Sequence, residues 1–529
     1  MAHVITQACC GDAACVYACP VNAIQPNPDH HLFVSAEMLY IDPSSCVDCG
    51  ACVPACPVGA IKKDTRLPIE QQPFIAINRL YHEAHGTENR PVQAIVPTLI
   101  RLPSNSLPIR VAIVGSGPAA MYAADELLKQ DGVEVAVFDR LQTPYGLARA
   151  GVAPDHESTR SIDRLFRRIE GLPGFHYALG VEVGKDVTHQ QLLERFSAVI
   201  YATGAARDKL LDLPGAHLPG VTSATTFVGW YNGHPDHADA QFDLEQPRVV
   251  LIGNGNVALD VARILTTEPS RLASTDISRV ALKALRESHV EEVVVLGRRG
   301  PEHSAFTLPE LVGLKARDDL EVVLADPVPP PPEWADVQLQ HKLDLLRSLP
   351  LADIPRRGRR IVLRYWTTPT GIRGDSLADG VEVSCNPAQH PNEASSSEFL
   401  PAGLIISSIG YRGVQVPALP FDESNGVIPH QQGRVEGARG TYVVGWIKRG
   451  PSGFIGTNKT CARETVNSLL EDLSAGPLTD APITGDLSQL LRRWHPHSVD
   501  LNSWRDSAGL TPRRNLRRLP GRGTSRVGI

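Results

Sequence analysis

No stretch of about 18 consecutive apolar residues occurs in the chain, the length a helix needs to cross a bilayer, so no membrane insertion is expected. A basic N-terminal region leading into an apolar run is also missing, so no secretory leader is expected and the cytoplasm is the expected compartment. Strong charge of either sign is lacking too. A formal net charge of −6 is small for 529 residues, and nothing global suggests a nucleic-acid partner. Cysteine is almost absent after residue 56, where only Cys385 and Cys461 remain. The other eight of the ten fall within the first 56 residues. Without export, disulfides explain such crowding poorly, and metal ligation explains it well. The C-terminal arginines, from Arg513 to Arg526, read as a solvated basic tail over 496–529.

The cysteines form two unequal copies of one pattern. The second copy is Cys46-x2-Cys49-x2-Cys52-x3-Cys56-Pro57. Three thiolates at this spacing wrap one cubane, and the fourth reaches a different cluster. The first copy is Cys9-x2-Asp12-x2-Cys15-x3-Cys19-Pro20, and the copies continue as PVNAI and PVGAI. Zinc sites usually take two separated pairs of ligands, which a repeated three-plus-one run fits poorly. The module over 1–63 resembles the bacterial two-cluster ferredoxins. That resemblance implies an α+β Fe–S domain with one [4Fe–4S] cluster on Cys46, Cys49, Cys52 and Cys19, and a second cluster on Cys9, Cys15 and Cys56. Asp12 replaces a thiolate, so the second cluster is expected as [3Fe–4S], the alternative being a labile [4Fe–4S]. Cys10 falls outside the pattern, as a spare thiol or a substitute ligand.

Residues 64–107 carry frequent prolines and read as a semi-stiff linker with one short helix-like stretch around 75–85. Such a tether would hold a carrier near its source at about millimolar effective concentration. Beyond it stand two glycine fingerprints. In the first, a strand run Val111–Val114 turns through Gly115-x-Gly117 into a helix, and a second strand ends at Asp139. The glycines let backbone N–H groups approach a pyrophosphate, and the acid can accept from a ribose hydroxyl. In the second, Val249–Ile252 turns through Gly253-x-Gly255. Here the acid is missing from the following strand end, and Arg298 and Arg299 stand in its place. Arginines favour a 2′-phosphate, hence NADP over NAD. An insertion around Thr266–Ser288, rich in helix formers, explains the long interval before them.

The phrases DRLQTPYGLARAGVAPDH, GNGNVALDVARIL, GRRGPEHSAFTLPEL and GWIKRGPSGFIGTNK resemble the adrenodoxin reductase family of ferredoxin–NADP reductases. The resemblance covers about 108–495. It implies glutathione reductase-like FAD and NADP domains, each a doubly wound α/β sheet: FAD over 108–204 and 405–495, NADP over 205–404. It implies FAD contacts from Ala119, Asp139, Leu147 and Val183, and NADP contacts from Asn254, Gly255, Asn256, Val257, Arg298, Arg299 and Glu310. Trp446, Gly453, Phe454 and Ile455 would lie at the flavin ring. Lys209 is the nearest equivalent of an arginine common in the family, and Gly313 replaces a second glutamate. His156 would stand near the redox centre, either tuning it or merely hydrogen-bonded. The implied activity is hydride transfer from NADPH to FAD, followed by single electrons to the clusters and on to a ferredoxin or a cytochrome P450. Two other readings stay open: an electron-input subunit like the small subunit of glutamate synthase, and a cofactor-binding redox sensor without turnover.

Overall fold

Ile109–Val114 is buried at every residue, as a parallel strand covered on both faces must be. In the computed structural model, which describes residues 2–86, 100, 102, 109–355, 358–385, 396–479 and 485–509, it lies inside a seven-stranded sheet. Its parallel neighbours are Ala198–Tyr201 and Val133–Asp139, and Phe175–Leu179 closes that side. Thr441–Val443 pairs in parallel with Ala198–Tyr201 and leads to a short antiparallel edge. Helix Pro118–Leu127 follows the first glycine loop and packs against the long helix Thr457–Ala475.

A second sheet of six parallel strands repeats the design. Its order is Val221–Ser223, Leu404–Ser407, Arg248–Ile252, Glu292–Leu296, Arg360–Arg364 and Glu321–Leu324. Helices Pro269–Leu272 and Arg279–Arg286 fill the expected insertion. Leu404–Ser407 corrects a boundary, because the segment from 405 was expected to return at once to the FAD domain. It stays in the second sheet, with Val250 opposite Ile405. The crossing comes after it, where Tyr411–Arg412 pairs with Arg207–Asp208. An apolar run shows that a strand is buried but not which of two sheets buries it.

The N-terminal lobe is a small α+β unit. His3–Ile5 pairs with Ile61–Lys63, Ile24–Gln25 pairs with Tyr40–Ile41, and two short helices start near Cys15 and Cys52. The lobe does not end at residue 63. Helix Pro73–His85 packs onto it: Asn78 accepts the N–H groups of Ile5 and Ile41, and Tyr81 stacks on Tyr40 with ring centroids 4.0 Å apart. Pro73, read above as part of an extended connector, instead occupies the first turn of this helix, where a missing N–H costs nothing. The rest of the expected linker, 87–99, 101 and 103–107, lies outside the described residues.

The expected tail is shorter than 496–529. Val499 exchanges backbone hydrogen bonds with Leu179, and helix Leu501–Ser507 buries Trp504 beside Tyr145. Arg513–Arg526 lie outside the described residues. Among those described, no helix is long and apolar enough to cross a membrane.

Candidate functional site

The two glycine loops are built alike. Gly115 has φ +102°, and a Cβ there would lie 2.5 Å from the Ala202 carbonyl oxygen. Gly253 has φ +114° and sits in the same way against the Ser408 carbonyl. Both positions need a residue without a side chain, since the backbone is left-handed and a strand end presses on it. Gly117 and Gly255 differ: nothing stands within 4 Å of where their Cβ atoms would be. Each leaves open space at a helix N-terminus, which suits a pyrophosphate. Asp139 does more than expected. Its carboxylate accepts the Ser116 N–H at 2.9 Å and hydroxyl at 2.5 Å, and the Leu141 N–H at 2.9 Å, so it also holds the loop in shape.

A cleft of about 1000 Å³ runs between the two sheets. It brings together Gly115, Gly117, Ala119, Asp139, Leu147, His156, Lys209, Asn256, Val257, Glu310, Trp446, Gly453, Phe454 and Ile455. Val183, Asn254, Gly255, Arg298 and Arg299 do not line it. Val183 packs under the first sheet, while Arg298 and Arg299 are exposed past the end of Glu292–Leu296. The Arg299 carbonyl accepts the Trp366 N–H, which fixes that turn. Trp446 stacks on Tyr411 at 5.8 Å, a partner that sequence reading missed.

His156 stands between two carboxylates, Nδ1 at 3.9 Å from Asp260 and Nε2 at 3.9 Å from Glu310. Burial pushes the Glu310 carboxyl up, and His156 opposes that shift. One residue earlier, Asp155 receives two bonds from Arg263, at 2.8 and 2.9 Å, and Arg263 also donates to Asp260 at 2.8 Å. Burial works against the Asp155 charge, but Arg263 holds the carboxyl well below its usual range. This pair bolts the phrase APDH to the helix after the second glycine loop.

All ten cysteines are free thiols, which removes the disulfide reading. Zinc fares no better. Among the described residues, no three cysteines bring their sulfurs within 4.8 Å of one another, as ligation of a single ion requires. The sulfurs instead surround spaces. One small cavity is lined by Cys19, Cys46, Cys49 and Cys52, the crossed set of one thiolate from the first copy and three from the second. Cys15 lies in the field of Cys9 and Cys56. The repeated phrases serve the sulfurs directly: the Ala23 N–H donates to Cys19 Sγ and the Ala60 N–H to Cys56 Sγ. Burial pushes the Cys9 and Cys52 thiols up to about 12, so thiolates there need cationic iron beside them. The donor set fits two iron–sulfur clusters.

The lobe is docked on the reductase rather than merely tethered near it. Cys9, Cys10 and Gln7 line the same cleft as Trp446. The Cys10 carbonyl accepts the Gly456 N–H at 2.7 Å, and a Cβ at Gly456 would run into the Asp12 backbone. Arg463 donates to the Tyr17 hydroxyl at 2.6 Å. On the other side, Glu37 accepts the Leu308 N–H at 2.7 Å and pairs with Lys342 at 2.8 Å. Gln7 fills the space above Gly313, so that a Cβ there would displace its amide, and bonds to Glu310. No local motif marks Gln7 or Glu37, and the motif that holds Gly456 does not show its docking role; these roles arise from contacts between segments some 270 to 450 residues apart, as Glu37–Leu308 and Arg463–Tyr17 illustrate.

Comparison with known proteins agrees with this geometry. A family model described as pyridine nucleotide-disulphide oxidoreductase matches residues 109–296, and one described as a 4Fe-4S binding domain matches 39–62. A probable ferredoxin/ferredoxin–NADP reductase of Mycobacterium tuberculosis is 50% identical over 533 residues, covering 96% of this chain and 90% of that protein. Human mitochondrial NADPH:adrenodoxin oxidoreductase is 38% identical over 426 residues, covering 75% and 85%. The solved structure of Mycobacterium tuberculosis FprA in complex with NADPH superposes with a TM-score of 0.70 at 41% identity, covering 75% of this chain and 93% of that one. Two glycine loops built alike, a cysteine lobe whose Cys9 and Cys10 line the cleft and a half-identical relative spanning nearly the whole length place the chain in the ferredoxin/ferredoxin–NADP reductase family.

Proposed function

We propose that this chain is an NADPH-dependent reductase that passes electrons from the cleft into its own N-terminal lobe, the Asp12-bearing cluster first, and from there to a protein acceptor such as a ferredoxin or a cytochrome P450. The carrying observation is that Cys9 and Cys10 line the cleft that also holds Gly115 and Trp446. Bound FAD would exchange a hydride for two single electrons, which iron–sulfur clusters take one at a time. The chain's own residues do the positioning. Gly117 and Gly255 would admit the two pyrophosphates, with Asp139 toward the flavin's ribose. Arg298 and Arg299 would hold the 2′-phosphate beyond the cleft. Trp446 and Gly453–Ile455 would seat the flavin ring, and the Gly456–Cys10 bond keeps the lobe against it. His156, between Asp260 and Glu310, is suited to hold a proton near the reacting atoms. Cys49 is exposed on the lobe's other cluster, which supports an outlet on that side. The cysteine usage supports a reducing, cytoplasmic setting.

Cys9, Cys15 and Cys56, with Asp12 in the fourth position, suit a [3Fe–4S] cluster, and Cys19, Cys46, Cys49 and Cys52 a [4Fe–4S] cluster. Protein made under anoxia should then carry about seven irons per chain and, when oxidised, the EPR signal of a three-iron cluster. About eight irons without that signal would reject the assignment. The route has its own test. With one equivalent of NADPH and cytochrome c present, freeze-quenched samples should lose the oxidised three-iron signal before the cytochrome is reduced. Cytochrome reduction while that signal stays at full height would contradict the route.

A further inference from the structure

Asp12 occupies the position of the absent thiolate, and its side chain is already engaged. It is buried, 5% exposed. Oδ1 accepts the Ala14 N–H at 3.2 Å. Oδ2 lies 3.5 Å from the Lys459 ammonium, in an ion pair. Lys459 does not belong to the lobe. It sits in the first turn of helix Thr457–Ala475, in the flavin half, just after Gly456. The Gly456–Cys10 bond fixes the spacing between that helix and the Cys9–Asp12 segment. The ligand that a fourth iron would need is therefore neutralised by a cation from another domain.

We infer that Lys459 sets the iron count of the first cluster: by holding Asp12 as a counter-ion, it denies this carboxylate to a fourth iron. The inference rests on the three-iron reading above. A reduced three-iron core, [3Fe–4S]0, gains Fe(II) to become [4Fe–4S]2+, so iron and charge balance without a further electron. The fourth iron then needs one added ligand, which here is Asp12. Lys459 and Fe(II) compete for the same buried carboxylate. Removing Lys459 leaves that carboxylate uncompensated, an arrangement that strongly favours uptake of another cation. The control works across the domain boundary, so a lobe seated on the reductase differs from a free lobe in cluster composition as well as in position.

The test uses the full holoprotein, reduced with dithionite, incubated with excess Fe(II) under anoxia, desalted and reoxidised. The readout is the three-iron EPR signal per flavin. The wild type should keep most of its signal. Lys459→Met should lose it at least about tenfold faster, with iron rising by one per chain, and Lys459→Arg should behave as the wild type. Adding Asp12→Ala to Lys459→Met should restore resistance, because the carboxylate is the ligand being released. Equal persistence in Lys459→Met and the wild type overturns the inference and leaves the three-iron assignment standing. Iron uptake by the Lys459→Met, Asp12→Ala double variant also overturns it, since another ligand, such as Cys10, would then be filling the corner. A wild type that shows no three-iron signal before any iron is added overturns the assignment and the inference together.

Discussion

Replacing Arg298 and Arg299 together by alanine is expected to raise the KM for NADPH by about 100-fold, while the KM for NADH moves by less than about threefold. Hydrogen bonds to a charged group contribute about 1.5–3 kcal/mol each, and two at the low end correspond to about two decades. The lower figure applies because both side chains are exposed and screened by solvent. The variant should fold normally. The bond that fixes this turn runs from the Trp366 N–H to the backbone carbonyl of Arg299, which alanine retains. Steady-state rates with ferricyanide and either nucleotide measure the two constants. A parallel rise for both nucleotides would show that the pair acts on binding in general and does not read the 2′-phosphate.

Asp155→Ala is expected to destabilise the reductase by about 3 kcal/mol near neutral pH. Breaking a buried pair by removing one partner leaves the other charge unpaired, at about 3–5 kcal/mol. The low end fits here because Arg263 keeps its bond to Asp260. The pH dependence follows from the direction of the Asp155 shift. Its folded carboxyl is held below the unfolded value of about 3.9, so the pair's contribution is fully present above that pH and fades as the pH falls through the folded value. Chemical denaturation from pH 7 down to pH 3 should show the wild type losing part of its advantage over Asp155→Ala only at the acid end. A difference below about 0.5 kcal/mol at pH 7 would mean that Asp260 alone suffices to balance Arg263.

The parts of this molecule that were legible in sequence are those whose chemistry is local. A glycine that must pass under a strand end, as at Gly115 and Gly253, needs its neighbours in a fixed order, so the loop announces itself. The cysteine spacing does the same, since Cys46, Cys49 and Cys52 lie within seven residues and line one cavity. The phrases PVNAI and PVGAI were visible as a repeat, but their task, offering the Ala23 and Ala60 N–H groups to sulfur, was not. Boundaries failed where burial alone had to decide. Leu404–Ser407 is equally apolar in either sheet, and only pairing with Arg248–Ile252 assigns it. Helix Pro73–His85 was expected as a short stretch around 75–85, but that its buried face, Phe74, Asn78, Tyr81 and His82, packs onto the lobe was not. Arg263 lies on the helix that follows the second glycine loop. That it clasps Asp155, 108 residues earlier, is a tertiary fact with no sequence signature. The lobe's seat on the reductase is illegible for the same reason.

The notch at Gly313 bears on how the molecule meets the outside world. Gln7 plugs it from within, and Glu37 caps the start of the same helix. A free-floating carrier that sought this doorway would find the chain's own N-terminus already seated there. On the proposed route the arrangement would be a series circuit with its terminal near Cys49, and selection among outside proteins would fall to the small lobe's far surface. Swapping that surface alone would redirect the current to a new recipient without touching the nucleotide-binding machinery.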